Sequence, residues 1–134
     1  MPAIIFHNLR HAECGLEVAV DLSCQVTLLT APGAARYGGP EYYWAMVQAA
    51  QDRYPQAKAT AILNCGNDSA LAQMALRIGW RQLVLLGRET VRTKVQQIAR
   101  AYGGNVVARP PKAIDPGPDV IEITDLCRSV LGRS

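Results

Sequence analysis

The sequence predicts an α/β fold built on a mostly parallel sheet, and two observations support this prediction. Five short apolar runs, at residues 3–6, 26–30, 59–64, 82–86 and 105–108, begin 23, 33, 23 and 23 residues apart. A strand, a helix and two tight turns need about that length, so the spacing is typical of repeated βα units. Apolar residues make up 49% of the 134 residues and charged residues 19%, which is typical of a compact globule.

The first half of the chain contains two strand signals and two helix signals in alternation. Residues 3–6 form the first predicted strand, and Asn8 can cap a helix that runs to about residue 22. The continuous apolar run at residues 26–30 is typical of a strand that is covered on both faces. A loop over residues 31–39 then leads to Pro40, which suits the first turn of a helix that ends near residue 54.

The second half repeats the pattern with shorter connections. A strand at residues 59–64 enters a tight turn at 65–67, and the following helix, 69–78, stops at Gly79. The remaining predicted elements are a strand at 82–86, a helix at 89–102 and a strand at 105–108. Residues 109–118 contain four prolines and predict an ordered loop or edge segment. A short extra strand is predicted at 119–123, before a final helix that ends at residue 131.

The predicted topology is one domain, residues 1–134, with a three-layer doubly wound sandwich. We expect five strands in the flavodoxin-like order 2-1-3-4-5, because crossovers between parallel strands are right-handed. The alternative is half of a (β/α) barrel that closes by dimerising, and a period of 23 residues fits both. In both architectures a site lies at the carboxyl ends of the strands.

Composition and charge exclude several classes of partner. The net charge is +3, but the basic residues are scattered and form no run of five, so a nucleic-acid interface is not indicated. No apolar stretch approaches the roughly 20 residues of a membrane span, and residues 1–6 lack the features of a signal peptide. The four cysteines form no CxxC pair and predict free thiols in a reducing compartment. We therefore expect a cytoplasmic protein, forming a homo-oligomer, with neither membrane nor nucleic acid as a partner.

Particular segments resemble two known groups of proteins. Residues 26–33 and 62–79 resemble small bacterial α/β proteins, a likeness that implies no activity. The length and element order also resemble response-regulator receiver domains, which carry acids after strand 1, a phosphate-accepting Asp after strand 3 and Lys-Pro after strand 5. The corresponding positions here hold His7-Asn8, Asn64-Cys65 and Arg109-Pro110. The resemblance therefore implies a degenerate interaction module that is not phosphorylated.

Cys65 is the candidate nucleophile because it lies where the third strand turns into a helix. The amides and the positive dipole of that helix lower the pKa of a thiol in this position. In the order 2-1-3-4-5, strands 1 and 3 are neighbours, so His7 would emerge beside Cys65 and act as its base. The competing interpretation is a tight turn with a structural thiol.

An anionic metabolite is the ligand that the sequence favours. The glycine-rich loop at 33–39 offers backbone amides and a guanidinium, and two further arginines follow strands 4 and 5. Polar and glycine residues of the turn after strand 3 complete the predicted rim. The predicted ligand-binding residues are Gly33, Arg36, Gly38, Gly39, Asn64, Gly66, Asn67, Asp68, Arg88 and Arg109.

No metal or cofactor is predicted, although one spacing is compatible with a metal site. His7, His11 and Cys14 lie on one helical stripe, but no matching acidic or cysteine partner accompanies them in the sequence. The glycine-rich loop has neither P-loop nor dinucleotide-binding spacing, because Pro40-Glu41 stands where a P-loop needs Lys-Ser/Thr. For Tyr42 and Trp44 we expect a subunit contact or a role in packing of the loop.

Overall fold

The computed structural model describes residues 2–132 as strands and helices in near alternation. The strands are β1 (Ala3–Phe6), β2 (Gln25–Thr30), β3 (Lys58–Asn64), β4 (Gln82–Val84), β5 (Asn105–Val107) and β6 (Ala113–Ile114). The helices are α1 (Leu9–Asp21), α2 (Ala34–Gly38), α3 (Pro40–Arg53), α4 (Ser69–Ile78), α5 (Glu89–Ala101) and α6 (Thr124–Leu131).

Helix starts and stops agree with the local signals in the sequence. Asn8 caps α1, since its Oδ1 accepts a hydrogen bond from the His11 amide at 2.9 Å. Asp68 caps α4 in the same way, through the Leu71 amide at 3.0 Å. Gly79 ends α4 with a φ of 146°, a conformation that glycine adopts at little cost.

The α/β class and the parallel sheet are confirmed. Within the described residues the sheet has six strands in the order β5-β4-β3-β2-β1-β6. The pairs β1–β6, β3–β4 and β4–β5 are all parallel, with Ile4 opposite Ile114 and Leu83 opposite Val106. All four residues of β1 are buried, so both faces of that strand are covered.

The predicted strand order is wrong. Successive strands from β1 to β5 are neighbours, whereas the order 2-1-3-4-5 requires the third strand to lie on the opposite side of the first strand from the second. The right-handed crossover rule sets the hand of each βα unit but not the direction in which the next strand is added. Consecutive neighbours are the arrangement of the alternative architecture, a segment of a (β/α) barrel.

Three elements also differ from the prediction. Residues 34–38, expected as loop, form the short helix α2, while residues 119–123, expected as a strand, form none. The sixth strand lies instead at Ala113–Ile114, inside the proline-rich segment, where it pairs with β1 at the edge of the sheet, one of the two forms predicted for residues 109–118. Strand pairing of this segment depends on a distant partner, and no local pattern of two residues reveals it.

The chain divides into two compact units. The first comprises Met1–Leu29, Ala45–Thr60 and Pro111–Ser134, within the described residues, and in it α1 packs against β1 and α6. The second comprises Thr30–Trp44 and Ala61–Pro110, in which α4 packs against α5 and β4 against β5. The single domain predicted for residues 1–134 stays a prediction.

Trp80 organises the core of the second unit. Its side chain is fully buried, and its Nε1 donates to the Pro40 carbonyl at 3.0 Å. The ring of Trp44 lies with its centroid 5.0 Å from that of Trp80. Trp44, for which the sequence predicted a subunit contact or packing of the loop, packs against Trp80, and a Cβ added at Gly79 would lie 2.9 Å from its ring.

Several side-chain interactions tie residues 120–128 to α1 in the first unit. Arg10 makes two hydrogen bonds to the Glu122 carboxylate, at 2.9 and 3.2 Å, and His11 bonds to the Val120 carbonyl. Cys14 donates to Glu122 at 3.4 Å, and Arg128 pairs with Asp21 at 2.6 Å. These contacts hold a segment that has no regular secondary structure between residues 115 and 123.

Replacing Gly79 with alanine should destabilise the protein by about 3 kcal/mol, because strained backbone and a clash with Trp44 add together. Gly103→Ala is the matched control: its φ is 79°, and nothing lies within 4 Å of an added Cβ. The control should lose about 1 kcal/mol from backbone strain alone. Urea denaturation measures both losses, and equal losses would contradict the role given to Trp44.

Stability should fall on acidification as Glu122 becomes protonated. The Arg10 guanidinium, Thr124 and Cys14 hydrogen-bond to Glu122 and lower its pKa from 4.5 to about 2. Because the folded pKa is the lower one, this stabilisation is complete above pH 4.5 and disappears as the pH falls toward 2. The melting temperature of Glu122→Gln should lie below that of the wild type at neutral pH, and the gap should close as the medium is acidified.

Asp119→Asn is the control for that comparison, since Asp119 is exposed, lies outside the helices and makes no side-chain ion pair within residues 2–132. Its melting temperature should match that of the wild type at every pH. If the difference in melting temperature between wild type and Glu122→Gln does not change with pH, the negative charge of Glu122 does not contribute to stability.

Candidate functional site

A cavity of about 330 Å³ opens at the carboxyl ends of β3 and β4. It is lined by Asn67, Ser69, Leu86, Gly87, Arg88 and Val91. These residues come from the turn between β3 and α4, the loop between β4 and α5, and the first turns of the two helices. The position agrees with the expectation that a site lies at this edge of a parallel sheet.

Main-chain hydrogen bonds align the two loops. Cys65 donates to the Val84 carbonyl at 2.8 Å, and Leu86 donates to the Gly66 carbonyl at 2.6 Å. The strand ladder thus continues into the loops, although Leu86 lies beyond the end of β4. Main-chain hydrogen bonds therefore fix the two loops relative to each other, and the side chains that line the cavity project from these loops.

The predicted rim residues Asn64 and Asp68 hold the turn rather than line the cavity. The Asn64 side chain is buried, and its Oδ1 accepts from the Gly66 amide at 3.0 Å. The Asn64 amide donates to Oγ1 of Thr30 at 2.9 Å, and Thr30 is itself fully buried. Asp68 is occupied by its cap to Leu71. These groups shape the turn that carries Asn67 and Ser69.

Arg88 supplies the positive charge of the cavity. It is exposed, stands at the N-cap of α5, and its side chain makes no hydrogen bond or ion pair within residues 2–132. Glu89, the acidic residue of the first turn of α5, lines a different cavity of about 280 Å³. The guanidinium and the polar groups of Asn67 and Ser69 together suit an anionic, hydroxylated ligand.

The glycine-rich loop lies outside this cavity. Gly33 and Gly39 have positive φ values of 79° and 89° and flank the short helix α2. A Cβ at Gly38 would lie 2.9 Å from the Tyr43 ring, so close packing is one reason for a glycine there. Arg36 is exposed and, like the exposed Arg109, makes no ion pair in the described part of the chain.

The expectation that the Cys65 thiol has a lowered pKa is wrong. Cys65 is 3% exposed, and burial, with a smaller effect of the nearby Asp68 carboxylate, raises its pKa to about 12. Its Sγ faces the Leu63 carbonyl at 3.8 Å. Burial disfavours the thiolate more than the turn amides favour it, so the geometry is that of a packed thiol.

The premise that places His7 beside Cys65 is also wrong. That pairing assumed neighbouring first and third strands, but β2 lies between β1 and β3 in the sheet order. His7 instead pairs with Asp115, with 2.6 Å between Nε2 and Oδ1. Sequence reasoning missed Asp115 because it lies in the proline-rich segment, whose pairing with β1 has no local signal.

The stripe of His7, His11 and Cys14 is engaged by other protein groups. His11 Nδ1 accepts from the His7 amide at 3.1 Å, and its Nε2 bonds to the Val120 carbonyl. Cys14 interacts with Glu122 and Thr124, each at 3.4 Å. Among residues 2–132 no group of three or more His, Cys, Asp or Glu side chains is arranged to hold a metal ion.

Of the cavity residues, Asn67 and Arg88 were predicted as ligand contacts, whereas Ser69, Leu86 and Val91 were not. Ser69 comes directly after the Asp68 cap, so the sequence contained a signal for its place beside the turn. Leu86 was expected inside a strand, where a buried side chain is normal, yet it is 41% exposed. No helix in the described residues is long and apolar enough to cross a membrane.

Comparisons with known proteins give one recurring likeness. No protein-family model matches the chain. The plasmid fructose-bisphosphate aldolase of Cupriavidus necator is 28% identical over 95 residues, which cover 69% of this chain and 28% of the aldolase. A crystal structure assigned as a fructose-1,6-bisphosphate aldolase of Coccidioides immitis superposes with a TM-score of 0.62 at 17% identity, covering 81% of this chain and 40% of that chain.

These likenesses establish the fold but not the activity. At 17% identity the structural match shows the same kind of α/β fold. The chain spans less than half the length of either protein, 28% of one and 40% of the other. The activity of those longer proteins is therefore not an observation about this chain.

Alkylation should distinguish the buried thiols from the one that is partly exposed. With a pKa of about 12 and 3% exposure, Cys65 should react very slowly with iodoacetamide at mildly alkaline pH, because little thiolate is present. Cys24 is partly exposed and should be alkylated first. Peptide mass spectrometry measures both rates, and alkylation of Cys65 ahead of Cys24 would restore the nucleophile hypothesis.

Proposed function

We propose that this protein binds an anionic metabolite, and that a phosphorylated sugar is the class of ligand. The observation that carries the proposal is the cavity at the ends of β3 and β4, in which an unpaired guanidinium, Arg88, accompanies Asn67 and Ser69. A phosphate matches the guanidinium in charge and in hydrogen-bond geometry. Amide and hydroxyl groups suit the hydroxyls of a sugar.

The sugar in the proposal comes from the comparisons. The relative from Cupriavidus necator is named for its action on fructose bisphosphate, which carries phosphate groups on a polyhydroxylated chain. Both components have counterparts in the cavity, the phosphate at Arg88 and hydroxyls at Asn67 and Ser69. The proposal for this chain is binding; cleavage of the sugar is not part of it.

Two other interpretations of the sequence have less support. A cysteine-dependent enzyme using Cys65 and His7 would need a reactive thiol, whereas Cys65 is buried with a pKa of about 12. A degenerate receiver-like interaction module draws on element order alone. The proposal also includes location in the cytoplasm and assembly into a homo-oligomer. Tyr37 and Tyr42 are exposed by 90% and 56%, and we propose that these aromatic side chains form the subunit contact.

Thermal denaturation with fructose 1,6-bisphosphate tests the proposal. A ligand present at 100 times its Kd adds about 2.7 kcal/mol to the free energy of unfolding. Arg88→Ala should abolish that increase, because the cavity then has no cation to bind phosphate. Inorganic phosphate alone should give a smaller increase, since it cannot contact the groups that bind hydroxyls.

Arg77→Ala and Arg36→Ala are the matched controls. Each removes one exposed positive charge from residues that do not line the cavity, so each should keep the full increase. An increase lost in Arg36→Ala but kept in Arg88→Ala would move the site to the glycine-rich loop. An increase of equal size in all variants, or no increase in the wild type, would contradict the proposal.

A further inference from the structure

His7 and Asp115 meet at the carboxyl ends of two neighbouring strands. His7 comes directly after β1 and Asp115 directly after β6, and the two strands pair in parallel with Ile4 opposite Ile114. The ring Nε2 of His7 lies 2.6 Å from Oδ1 of Asp115. Parallel pairing thus brings an imidazole and a carboxylate together from positions 108 residues apart.

The hydrogen bonds assign the proton on the His7 ring. The bond from His7 lowers the pKa of Asp115, so this carboxyl group is an anion at neutral pH. Its Oδ1 also accepts from the Gly117 amide at 2.8 Å, which orients it. A carboxylate only accepts hydrogen bonds, so Nε2 of His7 carries a proton, and in the neutral form of the ring the lone pair is at Nδ1.

That lone pair is open to solvent. Nδ1 of His7 has no hydrogen-bond partner among residues 2–132, whereas every buried side-chain nitrogen or oxygen described there has one. The His7 side chain is 16% exposed, enough to present one ring atom at the surface. A carboxylate-oriented imidazole with a free, basic nitrogen is the arrangement that proton transfer requires.

His11 shows what a purely structural histidine looks like in the same fold. It is fully buried, and both ring nitrogens are engaged, Nδ1 by the His7 amide and Nε2 by the Val120 carbonyl. The two rings pack edge to face with centroids 5.7 Å apart, so His11 also steadies the ring of His7. The chain has two histidines, and only His7 has a free basic nitrogen within the described residues.

We propose that His7, positioned by Asp115, acts as a general base that activates water for the hydrolysis of small neutral carboxylic esters. Nδ1 takes a proton from water as the water oxygen bonds to the ester carbonyl carbon. The bond from that carbon to the alkoxy oxygen then breaks, and the leaving alkoxide receives the proton from Nδ1. The ester in the proposal is a neutral one because Asp115, 49% exposed and negatively charged, repels anionic substrates.

Hydrolysis of 4-nitrophenyl acetate by the intact protein tests the proposal. His7→Gln should lower the protein-dependent rate about 100-fold, the typical contribution of a general base. The wild-type rate should be lower in deuterium oxide, because a proton moves in the slow step. Cys24→Ser is the control for attack by the partly exposed thiol and should keep the wild-type rate.

Asp115 is a positioning residue, and its test needs a readout that a merely structural role would not change. In the wild type, nitrogen-15 NMR of the two imidazoles should show His7 as the tautomer with the proton on Nε2. Asp115→Ala should give a mixture of tautomers and a lower hydrolysis rate, with the His11 signals unchanged. A single unchanged tautomer would remove Asp115 from the proposal.

Chemical modification of the wild type keeps the proposal testable if a variant fails to fold. Diethyl pyrocarbonate should acylate His7 much faster than His11, as measured by peptide mass spectrometry, because both ring nitrogens of His11 are engaged and, among residues 2–132, Nδ1 of His7 has no partner. Equal reactivity of the two histidines would overturn the proposal. So would equal hydrolysis by wild type and folded His7→Gln, or loss of activity in Cys24→Ser. None of these results depends on the cavity at Arg88.

Discussion

The hydrogen bonds of the β3–β4–β5 ladder do not stop where the strands end, and the candidate site depends on this continuation. The Cys65 amide bonds to Val84, the Leu85 amide bonds to Val107, and the Leu86 amide bonds to Gly66. Without these bonds the loops after β3 and β4 would be independent surface segments. With them, the turn that carries Asn67 and the loop that carries Arg88 form the walls of one cavity.

Main-chain pairing also positions the chain at β1, but there the hydrogen-bond partner is a segment remote in sequence. The amide of Ala3 donates to the Lys112 carbonyl at 2.7 Å, and β6 pairs with β1 over two residues. Side chains then secure the chain beyond β6, with His7 bonded to Asp115 and Arg10 to Glu122. Charge-assisted hydrogen bonds hold a segment whose prolines give it few amides for a regular ladder.

Burial separates the chemistry of Cys65 from that of His7. Both come after strands at the carboxyl edge, which is the position that favours functional side chains. Cys65 faces inward, and desolvation removes its reactivity. His7 keeps one ring nitrogen at the surface, while a carboxylate fixes the other. Their positions after strands made both residues candidates for chemistry in the sequence. The direction of each side chain determines that His7, and not Cys65, is available for proton transfer.

The α/β class, most helix boundaries and the cap at Asn8 follow from the sequence alone, because these depend on interactions between residues close in the chain. The sequence also predicts that Asn67 and Arg88 lie at one edge of the sheet, where both line the cavity, since residues that come after parallel strands share an edge. The strand order, the pairing of β6 with β1, the partner of His7 and the burial of Cys65 follow from the folded structure and not from local patterns. Those features depend on which distant segments meet, and a periodic pattern of apolar residues is compatible with several such pairings.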